Sequence, residues 1–203
     1  MRKIRIFEHT SLDGVIQMPD GLEGGDYPYG DWTARYRSPT GASALAERYG
    51  KSYDLLLGRR TYDGWSGFWP KVKGGPFADA INAATKYVAT HRPASLEWGP
   101  VEAIGPDIAE DVRRVKSTEG NDLIVCGSST LTPVLLDQGL VDEVVLIVYP
   151  VLLGPGKRFF SESADARELA FVGTQATPTG LLVNTYRYVG ALRAAPQPVA
   201  TSR

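Results

Sequence analysis

Apolar and polar residues alternate from Lys3 to Glu8 (Lys, Ile, Arg, Ile, Phe, Glu), a period of two that predicts a half-buried first strand. The turn-prone Asp13-Gly14 follows, then a short apolar pair, Val15-Ile16. From Gln17 to Thr40 the pattern dissolves into a polar and aromatic stretch, which reads as a loop lying over a site, because Tyr27, Tyr29 and Trp32 would be awkward in a mere linker. Periodicity returns with a helix from about Ala42 to Tyr49, a strand from Asp54 to Leu57 and a helix opening near Arg60 after Gly58, together a βα unit. Strands are predicted next at Lys86 to Thr90 and Val101 to Ile104. A helix from Asp107 sets Ile108, Val112 and Val115 on one face, with Pro106 just before or at its first turn.

The stretch from Leu123 to Phe160 opens as a short apolar strand and breaks into a small-residue turn, Cys126-Gly127-Ser128-Ser129-Thr130, before a helix ending near Gly139. A proline deep in that helix would remove an intrahelical bond, so the helix is predicted to start at Thr130 to Thr132, with Pro133 in its first turn and Ser128-Ser129 left free. Unpaired N–H groups at a helix start attract anions, and small residues let a phosphate approach. A long strand from Asp142 to Val151 follows. Glu168 to Gln175 and Leu181 to Val189 then flank Thr177-Pro178-Thr179-Gly180 as a hairpin. Alternating β and α units with two final strands predict an α/β fold: a mostly parallel central sheet, helices on both faces and an antiparallel C-terminal hairpin. One domain is expected over residues 1–190. Residues 191–203, rich in Ala, Pro, Gln, Thr and Ser without periodicity, read as a disordered tail.

Composition narrows the function. The chain has 203 residues, enough for one sizeable core, and 22 basic against 23 acidic residues leave a net charge of -1. Such a balance gives no general electrostatic case for nucleic acid or an anionic membrane, so any anion must be held locally. Cys126 is the single cysteine and only His9 and His91 join it, which argues against a disulfide or a structural zinc site; no metal is expected. Arg5, Glu8 and His9 interrupt what a signal peptide would keep apolar, and the run Val144 to Leu153 is too short to span a bilayer. A soluble, cytoplasmic protein is expected.

Three loops at the carboxyl ends of predicted strands carry candidate chemistry, since open α/β sheets bind ligands along that edge. They are Gly58-Arg59-Arg60-Thr61, then Thr90-His91-Arg92 before Pro93, then Gly127-Ser128-Ser129-Thr130-Leu131. Each alone also reads as an ordinary polar turn or capped helix. Together they suit a pyrophosphate and a separate phosphate, as NADPH would require. The chain has no G-x-G-x-x-G, no G-x-x-x-x-G-K-[ST], no G-x-S-x-G and no H-E-x-x-H. Cys126, ending an apolar strand, reads as core. Hydride transfer fits these absences, because the cofactor brings the reactive bond.

Four landmarks in order resemble the dihydrofolate reductase-like superfamily, and in particular the reductase domain of the bacterial bifunctional riboflavin deaminase-reductase. They are Ser11-Leu12-Asp13-Gly14, Leu56 to Tyr62, Cys126 to Leu131, and Gly139 to Glu143 leading to Pro150 to Gly156. The resemblance covers about residues 2–189 and implies that Gly58, Arg59, Arg60 and Thr61 lie against the cofactor's pyrophosphate and adenosine side. It further implies that Thr90, His91 and Arg92 meet the 2'-phosphate, favouring NADPH, that Gly127 to Leu131 close over the diphosphate, and that the segment ending at Ile16 borders the nicotinamide. Substrate would sit between Asp13, the Trp32 loop, the helix of Glu47, and the aromatics Tyr62, Trp65, Phe68 and Trp69.

The chain departs from the family's patterns. Dihydrofolate reductases carry an acid on the first helix where this chain has Ala42-Ser43, with Glu47 about one turn on. The D-D-P and arginine of the riboflavin reductases are replaced by Asp63-Gly64-Trp65-Ser66-Gly67-Phe68-Trp69-Pro70, and residues 1–203 show no pattern of a zinc deaminase. These features point to a reductase of a small heterocyclic or carbonyl-like compound, similar to the riboflavin-pathway aminouracil reductase but with a flatter or less charged substrate. Asp13 is the one acid expected near the nicotinamide, as proton donor or as a plain turn residue. The alternatives are an NADPH- or ligand-binding protein without turnover, or a dihydrofolate reductase with a displaced acid. A homodimer through sheet or edge contacts is expected as well.

Overall fold

The computed structural model of the chain describes residues 1–18, 27–160 and 164–193. Part of the Gln17 to Thr40 loop and most of the expected C-terminal tail lie outside these residues. Strands β1 (Ile4–Ser11), β2 (Asp54–Gly58), β3 (Lys86–Ala89), β4 (Val101–Ile104), β5 (Leu123–Cys126), β6 (Glu143–Tyr149), β7 (Arg167–Ala176) and β8 (Leu182–Ala191) form one sheet. Their order is β4-β3-β2-β5-β1-β6-β8-β7. The pairings are parallel from β4 across to β6 and antiparallel for β6 with β8 and β8 with β7. The fold is the expected α/β arrangement with an antiparallel C-terminal hairpin.

Helices α1 (Pro39–Tyr49), α2 (Arg59–Phe68), α3 (Pro76–Ala83), α4 (Ile108–Ser117) and α5 (Leu131–Asp137) supply the two covering layers. The sheet separates two cores. Phe7, Leu55, Leu57 and Ile147 face the layer holding Tyr49 and Tyr62, while Ile4, Ile6, Leu56 and Val144 face Val112, Val115 and Leu135. β1 is covered on both sides, which is why its alternation marks two interiors and not an inside and an outside.

The element ends differ from the sequence reading for local reasons. β1 runs on to Ser11 because β6 pairs with it through Ser11 and Tyr149. β6 stops at Tyr149 because Pro150 has no N–H to give a ladder. α1 starts three residues earlier than expected: Ser38 caps it, its hydroxyl accepting from the Gly41 N–H at 3.1 Å, and Pro39 fits the first turn. α3 was not anticipated at all. Among the described residues no helix is long and apolar enough to cross a membrane, and no group of three or more His, Cys, Asp or Glu could hold a metal ion.

Candidate functional site

The turns that follow β2, β3 and β5 line one cleft of about 550 Å³, joined by Ile104 and Gly105 at the end of β4. Every residue from Gly58 to Thr61, from Thr90 to Arg92 and from Ser128 to Leu131 contributes to its wall. Gly127, just before, turns with φ +61°, and Ser128 follows with φ +69°, a conformation few residues with a Cβ adopt. This bend throws the Ser128 side chain inward. Its hydroxyl accepts from the Gly58 N–H at 2.9 Å and lies 3.0 Å from the Thr61 hydroxyl, so the turns after β5 and β2 are tied together. Ser128 is therefore buried and engaged, contrary to the expectation that it is free.

The cleft's cations divide into two kinds. Arg59 donates to Asp63 at 2.7 Å, to the Arg92 carbonyl at 2.8 Å and to the Thr90 hydroxyl at 3.4 Å. It is spent on holding the turn after β3 against α2. Arg60 and His91 are exposed and have no hydrogen-bond or ion-pair partner among the described residues, and the Arg92 guanidinium has only a loose pair with Asp63 at 3.6 Å. Three arginines and a histidine line the cleft, with no carboxylate in its wall among the described residues. Together with the N–H groups at the start of α2, which no side chain caps, these donors fit a group bearing several phosphate charges.

A second cavity, of about 1000 Å³, lies on the α1 and α2 side of the sheet. Tyr36, Trp65, Phe68, Trp69 and Phe77 give it aromatic walls, Trp69 standing edge-on to Phe68, Trp65 and Phe77 at 5.1 to 5.7 Å between ring centres. α1 presents Ser38, Gly41, Ala42 and Leu45, none of them acidic. At the sheet end His9 and Tyr149 also line it, the His9 Nδ1 lying 2.7 Å from the Tyr149 hydroxyl. Burial, helped by Arg37 and opposed by Asp31, pushes His9 down to about 4, and burial pushes Tyr149 up to about 12. Both groups are neutral near pH 7. Asp63 borders the two spaces, lining the aromatic cavity while its carboxylate faces Arg59 and Arg92 of the cleft.

Residues 2–183 match the RibD C-terminal domain. The chain belongs to the RibD C-terminal domain family. The uncharacterized protein YyaP of Bacillus subtilis (strain 168) is 27% identical over 140 residues, 67% of this chain and 74% of its own length. Among solved structures, a candidate riboflavin biosynthesis protein from Shewanella sp. PV-4 superposes with a TM-score of 0.67 at 21% identity, covering 92% of this chain and 99% of that one. Dihydrofolate reductase from Enterococcus faecalis, solved with NADP(H) and RAB-propyl, gives 0.59 at 17% identity over 92% and 96%. The shared feature is the dihydrofolate reductase-like fold.

In this RibD C-terminal domain the expected cofactor residues gather in the cleft, apart from Gly127, which shapes it from behind, and Ile16, which is buried in the same core cluster as Leu131. The expected substrate residues scatter. Trp65 and Phe68 line the aromatic cavity. Trp32 is buried against Tyr149 at 5.0 Å, its indole N–H donating to the Gln17 carbonyl, so it backs the wall without lining it. Tyr62 is a core residue whose hydroxyl accepts from the Trp98 N–H at 2.7 Å. Glu47 is exposed on the outer face of α1 and lines neither space, because the helix turns Ala42 and Leu45 inward instead.

Asp13 takes the turn role. Its carboxylate accepts from the Ser11 hydroxyl at 2.5 Å and from the backbone N–H groups of Leu153 and Gly154 at 3.1 and 2.7 Å. The Ser11 bond, then these amides, hold it down at about 2 against a partial cost of burial. Such a carboxylate is too strong an acid to donate a proton near neutrality. His9, Asp31, Tyr36, Arg37 and Tyr149 are among the cavity residues that the sequence does not mark as functional. Extending the alternation of β1 past Phe7 would have set His9 on the same face, and the same count along β6 reaches Tyr149 from Val145 and Ile147.

Proposed function

We propose that this domain is an NADPH-dependent reductase of a small, flat, largely uncharged heterocyclic or carbonyl-like substrate. The observation that carries the reading is the convergence of three turns on one cleft lined by Arg59, Arg60, His91 and Arg92, beside a larger aromatic cavity. The likeness to a reductase solved with NADP(H) agrees with it. Arg60, His91 and Arg92 are available to meet phosphate oxygens, and Ser129 and Thr130 offer small polar surface at the turn. When bound, the nicotinamide supplies a hydride.

The residues of the chain position and desolvate. Arg59 fixes the turn that carries His91 and Arg92. The aromatic walls hold a ring and exclude water. Arg37, the one lysine or arginine among the described residues lining the aromatic cavity, is paired with Asp31, so these residues offer a phosphorylated substrate little to bind. That favours a substrate other than a phosphoribosyl-aminouracil. The loss of Asp13 and Glu47 as proton donors favours a second reading, an NADPH-binding protein without turnover. NADPH oxidation monitored with pterins, aminopyrimidines and quinones separates the two, and failure of NADPH to bind at millimolar concentration rejects both. A homodimer is part of the proposal: Phe171 and Val172 on the edge strand β7 are 63% and 59% exposed, surface that a second copy would cover.

A further inference from the structure

Asp63 belongs to both spaces. It stands in the wall of the aromatic cavity, yet its two carboxylate oxygens are turned to cations of the cleft. Oδ1 lies 2.7 Å from the Arg59 Nε, and Oδ2 lies 3.6 Å from the Arg92 guanidinium. The two pairs differ in kind. Arg59 is one helical turn before Asp63 on α2 and also donates to the Arg92 carbonyl and the Thr90 hydroxyl, so it has no freedom to leave. Arg92 is anchored through its backbone: its N–H donates to the Thr90 hydroxyl at 3.0 Å, and its carbonyl accepts from Arg59 and from the Ser95 hydroxyl. Its side chain is 69% exposed and reaches Asp63 at a distance too long for a hydrogen bond.

An arginine with a fixed backbone and a loosely paired head is arranged to change partners. An exposed ion pair of this kind shifts an equilibrium by about fivefold at most, whereas a charge-assisted hydrogen bond to a phosphate is worth about tenfold or more. A phosphate monoester also carries nearly two charges against the single charge of Asp63. The phosphate wins the guanidinium. Asp63 then keeps Arg59 on one oxygen and loses the cation that faced the other, so filling the cleft changes the charge presented by a wall residue of the aromatic cavity.

We propose that Asp63 is the relay by which the aromatic cavity registers an occupied cleft: a phosphate taken up at Arg92 withdraws that guanidinium from Asp63 and releases the carboxylate oxygen it had faced. The relay goes beyond the reductase reading, since it needs a phosphate at Arg92 and not a nicotinamide. Linkage makes the effect reciprocal. A group in the cavity that donates a hydrogen bond to the released oxygen strengthens phosphate binding, and an anion placed there weakens it. In a reductase, cofactor and a donor-bearing substrate then fill their two sites together more readily than singly.

NMR of the full wild-type chain carrying carbon-labelled aspartate carboxyl groups follows Asp63 directly and needs no variant to fold, while calorimetry measures binding in parallel. The probes are inorganic phosphate and NADP+ at millimolar concentration. Each is expected to move the Asp63 carboxyl signal saturably, with the same midpoint as the heat of binding. Asp63→Asn keeps an oxygen for the Arg59 Nε but removes the charge that attracts Arg92. This variant is expected to bind NADP+ about threefold tighter than wild type, because no carboxylate has to be displaced, and the gain should vanish in the Arg92→Ala background. A merely structural Asp63 leaves binding unchanged or weakens it, and either result overturns the proposal. So does NADP+ that saturates the protein without moving the Asp63 signal, which leaves the reductase reading intact, or a signal that neither probe moves. If inorganic phosphate moves Asp63 and NADP+ does not bind, the reductase reading fails and the relay stands.

Discussion

The hydroxyl of Ser128 accepts the backbone N–H of Gly58 at 2.9 Å, and a methyl group on Gly58 would lie 2.7 Å from that oxygen and 3.1 Å from the Ser128 Cβ. The cleft thus depends on one residue having no side chain and another having a hydroxyl at an unusual backbone angle. Ser128→Ala leaves a buried N–H without an acceptor and should cost about 1–3 kcal/mol. Gly58→Ala should cost about as much by overpacking. Combining Gly58→Ala with Ser128→Gly removes the clash and the strained φ together, so the double variant should be more stable than the sum of its parts predicts. Urea unfolding measures this, and strict additivity would show that the two turns are not coupled.

The arginines of the cleft should behave differently from one another. Arg92→Ala removes an available guanidinium and should weaken NADPH about tenfold more than NADH, the size of a charge-assisted bond to the extra phosphate, whereas Arg60→Ala, on the pyrophosphate side, should weaken the two nucleotides alike. Arg59 is engaged by Asp63, Thr90 and the Arg92 carbonyl, so Arg59→Ala should weaken both nucleotides alike by loosening the turn that carries Arg92. Calorimetric titration with the two nucleotides distinguishes these patterns. Equal losses for Arg92→Ala would remove it as the reader of that phosphate.

The mostly parallel sheet, its antiparallel C-terminal hairpin and the three turns on one sheet edge were legible in the chain because they follow from local patterns: apolar strands ending in Gly58, Ala89 and Cys126, each followed by a small or polar turn; the order of the strands, set by pairings distant in sequence, was not. α3 was not legible. Gly74, Gly75 and Pro76 break any pattern ahead of it, and its short helix buries only Ala78 and Ile81 while leaving Phe77 exposed at 39%, too little to show a period. Arg59 and Ser128 illustrate another limit, since a sequence shows which groups a turn contains but not that partners elsewhere will occupy them. Tyr62 and Trp32 likewise look like binding aromatics until Trp98 and Gln17 supply their hydrogen bonds. His9 lies two residues before the end of β1 and Tyr149 ends β6, and only the pairing of the two strands brings them together.

Asp13 and Glu47 make opposite predictions. Because Asp13 is held at about 2 in the folded state against an ordinary 3.8, the unfolded chain takes up its proton first as pH falls. Its stabilisation is complete above about pH 4 and disappears as the pH approaches 2. Asp13→Asn should therefore lower stability at neutral pH and flatten the acid limb between those values, by urea unfolding at each pH. Glu47→Gln should change neither stability nor any NADPH oxidation by more than about twofold, as expected for an exposed surface position. A large loss of rate would restore the displaced-acid reading.

Lys86 allows a test on the alkaline side. Its side chain is fully buried, with Nζ donating to the Asn82 carbonyl at 2.6 Å and lying 4.3 Å from the centre of the Trp98 ring. Burial pushes it down to about 8, with Asp54 acting in the opposite direction. The folded protein gives up this proton near pH 8 and the unfolded chain only near 10.5, so between those values the unfolded state binds more protons and stability must rise with pH. Below about 8 both states are charged and the cost of burying the ammonium is constant. Lys86→Met has no such group. The stability of wild type relative to Lys86→Met should be flat from pH 6 to about 8 and then climb towards pH 10, on the order of 1–2 kcal/mol. Taking the difference cancels the tyrosines, several of which titrate at higher pH. Parallel stability curves for the two proteins across that range would mean that Lys86 is solvated well enough to keep its ordinary charge.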